Sequence, residues 1–167
     1  KSIDFIFQCA ALPEKNNYFP LLTSTNKYMK NSIKLNFLSN VYLFRNFIKF
    51  FEIKKKTRFV FFTSRAGWSN KKGHGVYNLT KSSLNSFVSS LSEELRYYKK
   101  YKNLEVICLE PGEAKTEMNK GSKDNTNKIL KVIILLINSK KNLNGLFINR
   151  ELTSLTYLNT KKISIHD

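Results

Sequence analysis

The sequence predicts an α/β protein organised on a parallel sheet. Short apolar runs alternate along the chain with longer amphipathic ones. The short runs are continuous rather than alternating, the pattern of strands buried on both faces. Three of them end on small or polar residues, at Ala10-Ala11, Thr63-Ser64 and Pro111-Gly112, and open α/β sheets bind ligands beyond such strand ends.

Ile3 to Phe7 is the first expected strand, closing on Gln8-Cys9-Ala10-Ala11, followed by a loop from Pro13 to Pro20. From Thr23 to Ile53 the pattern is helical, with Ile33, Phe37, Val41, Phe44, Phe47, Ile48 and Phe51 at spacings of three and four. Its length predicts one long helix, or two with a break near Asn31-Ser32. Phe59 to Phe62 is too short for a helix and rich in aromatic residues, so it reads as a buried strand. A polar loop with Gly67, Gly73 and Gly75 leads into a second helix from Val76 to Tyr98, whose stripe is Leu84, Phe87, Val88, Leu91 and Leu95. Leu104 to Leu109 is the third strand, stopped by Pro111-Gly112. Ile129 to Ile137 is a short helix and Leu146 to Ile148 a last strand. Residues 1–150 form the expected domain and residues 151–167 a tail. Right-handed crossovers then set the strands side by side in chain order.

Composition narrows the function. A hydrophobic fraction of 41% over 167 residues fits a globular domain. The net charge of +17, from 29 Lys+Arg against 12 Asp+Glu, admits an acidic partner. The lysines are nevertheless spread along a chain that is also rich in Asn, Ile and Phe. No nucleic-acid-binding motif accompanies them, so the charge reads as compositional bias and no specific nucleic acid is expected. Cys9 and Cys108 lie in or beside apolar runs, where a thiol behaves as a small hydrophobe. Two isolated thiols make neither a disulfide framework nor a zinc site, so no metal is expected and a reducing, cytoplasmic setting fits. Val132 to Ile137 is far shorter than a membrane span, and no membrane is expected.

Asn36 is a polar residue within the first helix, while Ser64 at a strand end and Tyr77 and Lys81, four residues apart at the mouth of the second helix, carry the candidate chemistry. At that spacing two side chains share one helical face. Tyrosine has a pKa of about 10, and a neighbouring ammonium lowers it toward a useful acid/base. Taken singly, each residue has a structural reading: a packed ring with a solvated lysine, a serine capping a loop, an asparagine on a solvated face. His74, between two glycines in a basic loop, is given no role.

In order and interval, Asn36, Ser64, Tyr77 and Lys81 resemble the Asn–Ser–Tyr–Lys tetrad of the short-chain dehydrogenases/reductases. Tyr-x-x-x-Lys alone is a weak signal; a serine thirteen residues before it and an asparagine in the preceding helix make it specific. The Gln8–Ala11 stretch is similar to the family's Asn-Asn-Ala-Gly turn, altered at three of four places. Pro111, Gly112 and Thr116 resemble its Pro-Gly-x-x-x-Thr segment, and NGLFIN its final strand. The likeness covers Ile3 to Asn149. It implies the C-terminal part of a Rossmann-type doubly wound parallel sheet, the family's fourth to seventh strands with flanking helices. The glycine-rich turn after the family's first strand has no counterpart here, so the expected domain is partial. Its first strand would be an unsatisfied edge, and the fragment alone is expected to be unstable and inactive.

The resemblance also implies an NAD(P)-dependent oxidoreductase that moves hydride between nicotinamide and a small carbonyl or alcohol substrate. Tyr77 would be the general acid/base, Ser64 would hold the substrate oxygen and Asn36 a relay water. Lys81 would bind the nicotinamide ribose, while Ala10, Ala11, Pro111, Gly112 and Thr116 line the NAD or NADP site. Relatives pair through their long helices, so a homodimer or homotetramer is expected of the full-length protein. The competing expectations are a non-catalytic binding protein of the same fold, an inactive fragment, and a basic nucleic-acid binder.

Overall fold

The computed structural model describes residues 3–11, 20–51, 54–70, 72–115 and 120–154. Four strands, β1 (Phe5–Gln8), β2 (Thr57–Phe62), β3 (Leu104–Glu110) and β4 (Phe147–Asn149), form one sheet in chain order. Every neighbouring pair is parallel, as the continuous apolar runs predict. The registers align Gln8 with Phe61, Phe61 with Cys108, and Cys108 with Phe147. The carboxyl ends of all four strands therefore share one edge.

Alternate residues of each strand face opposite layers. Phe59, Phe61, Val106, Cys108 and Phe147 pack with Phe44 of the first helical segment and with Leu84, Val88, Leu91 and Leu95 of the second. Val60, Ile107, Leu109 and Ile148 pack on the opposite face with Val132 and Leu136. The sheet is thus covered on both faces. Phe44 sits edge-on to Phe59, with ring centroids 5.3 Å apart, a favoured aromatic geometry.

Of the two expected forms of the first helical segment, one long helix or two with a break near Asn31-Ser32, the structure has the continuous one. It comprises α1 (Asn26–Ile33), a π-helical turn at Lys34–Leu38, α2 (Ser39–Phe47) and a 3₁₀ turn at Ile48–Phe50. Ser32 is buried inside α1. The irregularity falls a few residues later and widens the helix instead of ending it. The side-chain amide of Asn40 donates to the Asn36 carbonyl at 3.0 Å. A side chain that takes up a backbone carbonyl competes with the regular helical ladder.

The glycine-bearing loop after β2 holds a single helical turn, α3 (Ala66–Ser69), before α4 (Gly75–Tyr97). Gly67 packs so closely on α4 that an added Cβ would collide with the Asn85 amide. A 3₁₀ turn at Lys99–Tyr101 leads to β3, and α5 (Asn127–Asn138) precedes β4. Residues 155–167, most of the expected tail, lie outside the described residues.

At the amino end of the sheet, buried Arg58 donates from Nε to Glu105 at 2.7 Å. Its other nitrogens donate to the carbonyls of Leu136, Ser139 (2.7 Å) and Lys141 (2.9 Å). Carbonyls at a helix C-terminus lack intrahelical donors and carry partial negative charge. One guanidinium thus fastens the end of α5 to β2 and β3. Among the described residues no helix is long and apolar enough to cross a membrane.

Candidate active site

The candidate site lies along the carboxyl edge. Ala10 and Ala11 follow β1, Ser64 follows β2 by two residues, and Pro111 and Gly112 follow β3 directly. Ala10 is exposed and Ala11 half-buried. Gly112 takes φ +70°, a left-handed conformation that glycine adopts without strain. Its N–H donates to the Glu110 carboxylate at 2.7 Å. Thr116 lies outside the described residues.

Tyr77 is half-buried in the first turn of α4, and Lys81 follows it one turn later. The Lys81 ammonium lies 5.6 Å from the centroid of the Tyr77 ring and donates to the Phe62 carbonyl at the end of β2 at 2.9 Å. Lys81 is only 3% exposed. Burial lowers its pKa to about 8, against an opposing pull from the thiols of Cys108 and Cys9. Removing an ammonium from water disfavours its charged form, and one carbonyl compensates only partly.

Ser64 is half-buried, and its Oγ accepts the N–H of Ala66, two residues on, at 3.3 Å. Asn36 is 2% exposed and sits at the centre of the π turn, on the helical segment that packs against α4. Such turns occur often at functional sites. Of the residues the sequence singled out, Tyr77 and Lys81 are in direct contact. Ser64, Ala10, Ala11, Pro111 and Gly112 share their sheet edge.

Asn85, Glu110 and Arg150 are neighbours of the site that escaped the sequence reading. Asn85 continues the Tyr77–Lys81 spacing by one further helical turn. Its Oδ1 accepts from the Thr63 hydroxyl and, at 3.9 Å, from the Cys108 thiol. The spacing of four was the available signal. Cys108 is buried, and burial pushes its thiol up to about 12. Cys9 departs from the expected small hydrophobe: it lies beyond the last residue of β1 and is exposed. Glu110 is a buried carboxylate at the end of β3, raised above its ordinary pKa by burial against the opposing Gly112 N–H. Arg150, one residue past β4, bonds to the carbonyl of Glu113 and the carboxylate of Asp124.

Parallel strands in chain order, a helical Tyr–Lys pair at their carboxyl edge and a Pro-Gly turn beside it define part of a Rossmann-type α/β fold. A family model described as short chain dehydrogenase matches residues 1–127, and the chain belongs to that family. Among solved structures it is similar to a short chain dehydrogenase from Salmonella enterica serovar Typhi, with a TM-score of 0.78, 16% identity and 90% of this chain covered. One from Shigella flexneri 2a, complexed with NADP, matches at TM-score 0.77 and 16% identity over 90% of this chain and 64% of that one. An enoyl-[acyl-carrier-protein] reductase (NADH) from Aquifex aeolicus matches at 0.75 and 14% identity, over 89% of this chain and 64% of that one. The chain spans 63% of the length of the Salmonella protein. No curated protein matches it significantly.

Proposed function

We propose that this chain carries the proton-transfer half of an NAD(P)-dependent oxidoreductase acting on a small carbonyl or alcohol. The observation that carries the reading is the Lys81 ammonium, buried at the carboxyl edge within 5.6 Å of the Tyr77 ring centroid. The residues present fit a nicotinamide nucleotide. Among the described residues the ammonium has one hydrogen-bond acceptor, the Phe62 carbonyl, so donor capacity remains for ribose hydroxyls. Ala10, exposed just past β1, puts only a methyl group where a nucleotide would approach. The family and the NADP complex of a structural relative support the same group.

Lys81 would hold the ribose, and Ala10, Ala11, Pro111, Gly112 and Thr116 would line the nucleotide site. The bound nicotinamide supplies or accepts the hydride at the carbinol carbon. In reduction, Tyr77 Oη gives its proton to the carbonyl oxygen as that oxygen gains negative charge. The Ser64 hydroxyl donates a hydrogen bond to the same oxygen and keeps it in line. Lys81 stabilises the phenolate left behind, and Asn36 holds a water through which Tyr77 is reprotonated. Oxidation runs the same steps backwards.

The test is Tyr77→Phe in the protein as its complete gene encodes it, screened with NADH and NADPH against a carbonyl and alcohol panel. Turnover is expected to fall by about 10²-fold or more, with nucleotide affinity within a few-fold of the parent's. Turnover retained in the variant excludes Tyr77 as the acid/base. No turnover and no nucleotide binding by the parent favours a non-catalytic protein of this fold.

A further inference from the structure

The Pro111–Glu113 turn is held from outside the strand that precedes it. Arg150 stands where a Gly112 side chain would go: a Cβ built on Gly112 would collide with the guanidinium. Arg150 Nη1 donates to the Glu113 carbonyl at 3.0 Å and Nη2 to the Asp124 carboxylate at 2.6 Å, while Nε donates to Glu151 at 2.8 Å. Asp124 is itself fastened to the same segment, since its carbonyl accepts the Lys115 N–H at 2.7 Å. The Ser122 hydroxyl reaches the Glu113 carbonyl at 3.1 Å and accepts the Asp124 N–H at 3.2 Å. On the other side, Glu110 grips the Gly112 N–H. The Arg150 side chain is 14% exposed, against 44% for Asp124 and 48% for Glu151. It is therefore the covered centre of this cluster, and its planar fork reaches three directions that one ammonium could not.

We propose that Arg150 is a positioning residue for nucleotide binding, which rests on the function proposed above. It fixes the backbone of Gly112 and Glu113, the wall of the site that follows β3, by bridging it to Asp124 and to the end of β4. It touches neither substrate nor nicotinamide and acts through the wall it holds. Loss of the fork leaves the Glu113 carbonyl with the Ser122 hydroxyl alone and Asp124 without its cation, so the wall samples conformations that do not bind the nucleotide and affinity falls by the populated fraction.

The experiment compares Arg150→Met, Arg150→Lys, Asp124→Asn and the combined R150M/D124N variant in the full chain. Dissociation constants for NADH and NADPH are read by fluorescence titration, with tryptic cleavage after Lys115 and thermal melting alongside. R150M is expected to weaken binding about tenfold and speed cleavage, the scale of a lost charge-assisted hydrogen bond. D124N should lose less, and R150K should recover part of the loss. The combined variant should be no weaker than R150M, because one shared contact has gone. Affinities within twofold of the parent overturn the proposal, even if cleavage is faster, because the contact is then structural only. Additive losses also overturn it. A parent that binds neither nucleotide overturns the functional reading and this inference together, which separates that failure from a failure of Arg150 alone.

Discussion

The two ends of β2 each hold a buried cation, and they are treated in opposite ways. At the amino end Arg58, 2% exposed, is matched by the Glu105 carboxylate and three backbone carbonyls. At the carboxyl end Lys81, 3% exposed, has the Phe62 carbonyl, a ring face and two thiols. The first is a closed network that joins three elements. The second is an ammonium kept in a poor environment, with its pKa lowered to about 8 by burial. A fold gains nothing from an under-compensated lysine, and groups perturbed in this way cluster at functional sites. On the function proposed above, the difference separates a structural buried charge from one that would meet a ligand.

The largest effect that would break this comparison is on the structural side. Arg58→Met leaves buried Glu105 with Lys56 as its one cation among the described residues, at 2.8 Å, and strips the carbonyls at and beyond the end of α5 of this donor. Uncoupling a buried pair costs about 3–5 kcal/mol, read as a lower urea midpoint. A loss below about 1 kcal/mol would place Arg58 among ordinary surface charges.

A smaller effect of distinctive sign belongs to Lys81. Its folded pKa of about 8 lies below the ordinary 10.5, so between those values the unfolded chain binds more protons than the folded one. Stability therefore rises with pH across that window, by up to on the order of 3 kcal/mol. Cys108 opposes this. Its thiol ionises near 9.0 when unfolded but about 12 when buried, so above pH 9 it makes stability fall. Chemical denaturation should show a rise from pH 8 to 9 that then levels off. Cys108→Ala should extend the rise, and Lys81→Met should remove it. A flat profile for the parent from pH 8 to 9 would mean Lys81 is solvated.

Much of the sheet was legible because parallel strands are bought with continuous apolar runs, and small or polar residues close them. Phe59–Phe62 and Leu104–Leu109 needed no further context. The Tyr77–Lys81 contact was legible because helical geometry brings residues four apart together. The π turn around Asn36 was not, since one extra residue in a helical turn shifts the apolar pattern too little to register. Arg58 could not be told from the lysines just before it, because its partners are backbone carbonyls and a glutamate 47 residues away. Arg150 and Asp124 are likewise far apart in sequence, and pairing at such range leaves no local pattern.

The central claim is that the Lys81 ammonium is held for a nicotinamide nucleotide. Fluorescence titration of NADPH and NADH into the complete protein and its Lys81→Met variant tests it most directly. Saturable binding by the parent, weakened at least about tenfold in the variant by loss of charged hydrogen bonds, is the predicted result. Equal affinity in the two proteins, or no binding by the parent, would contradict it.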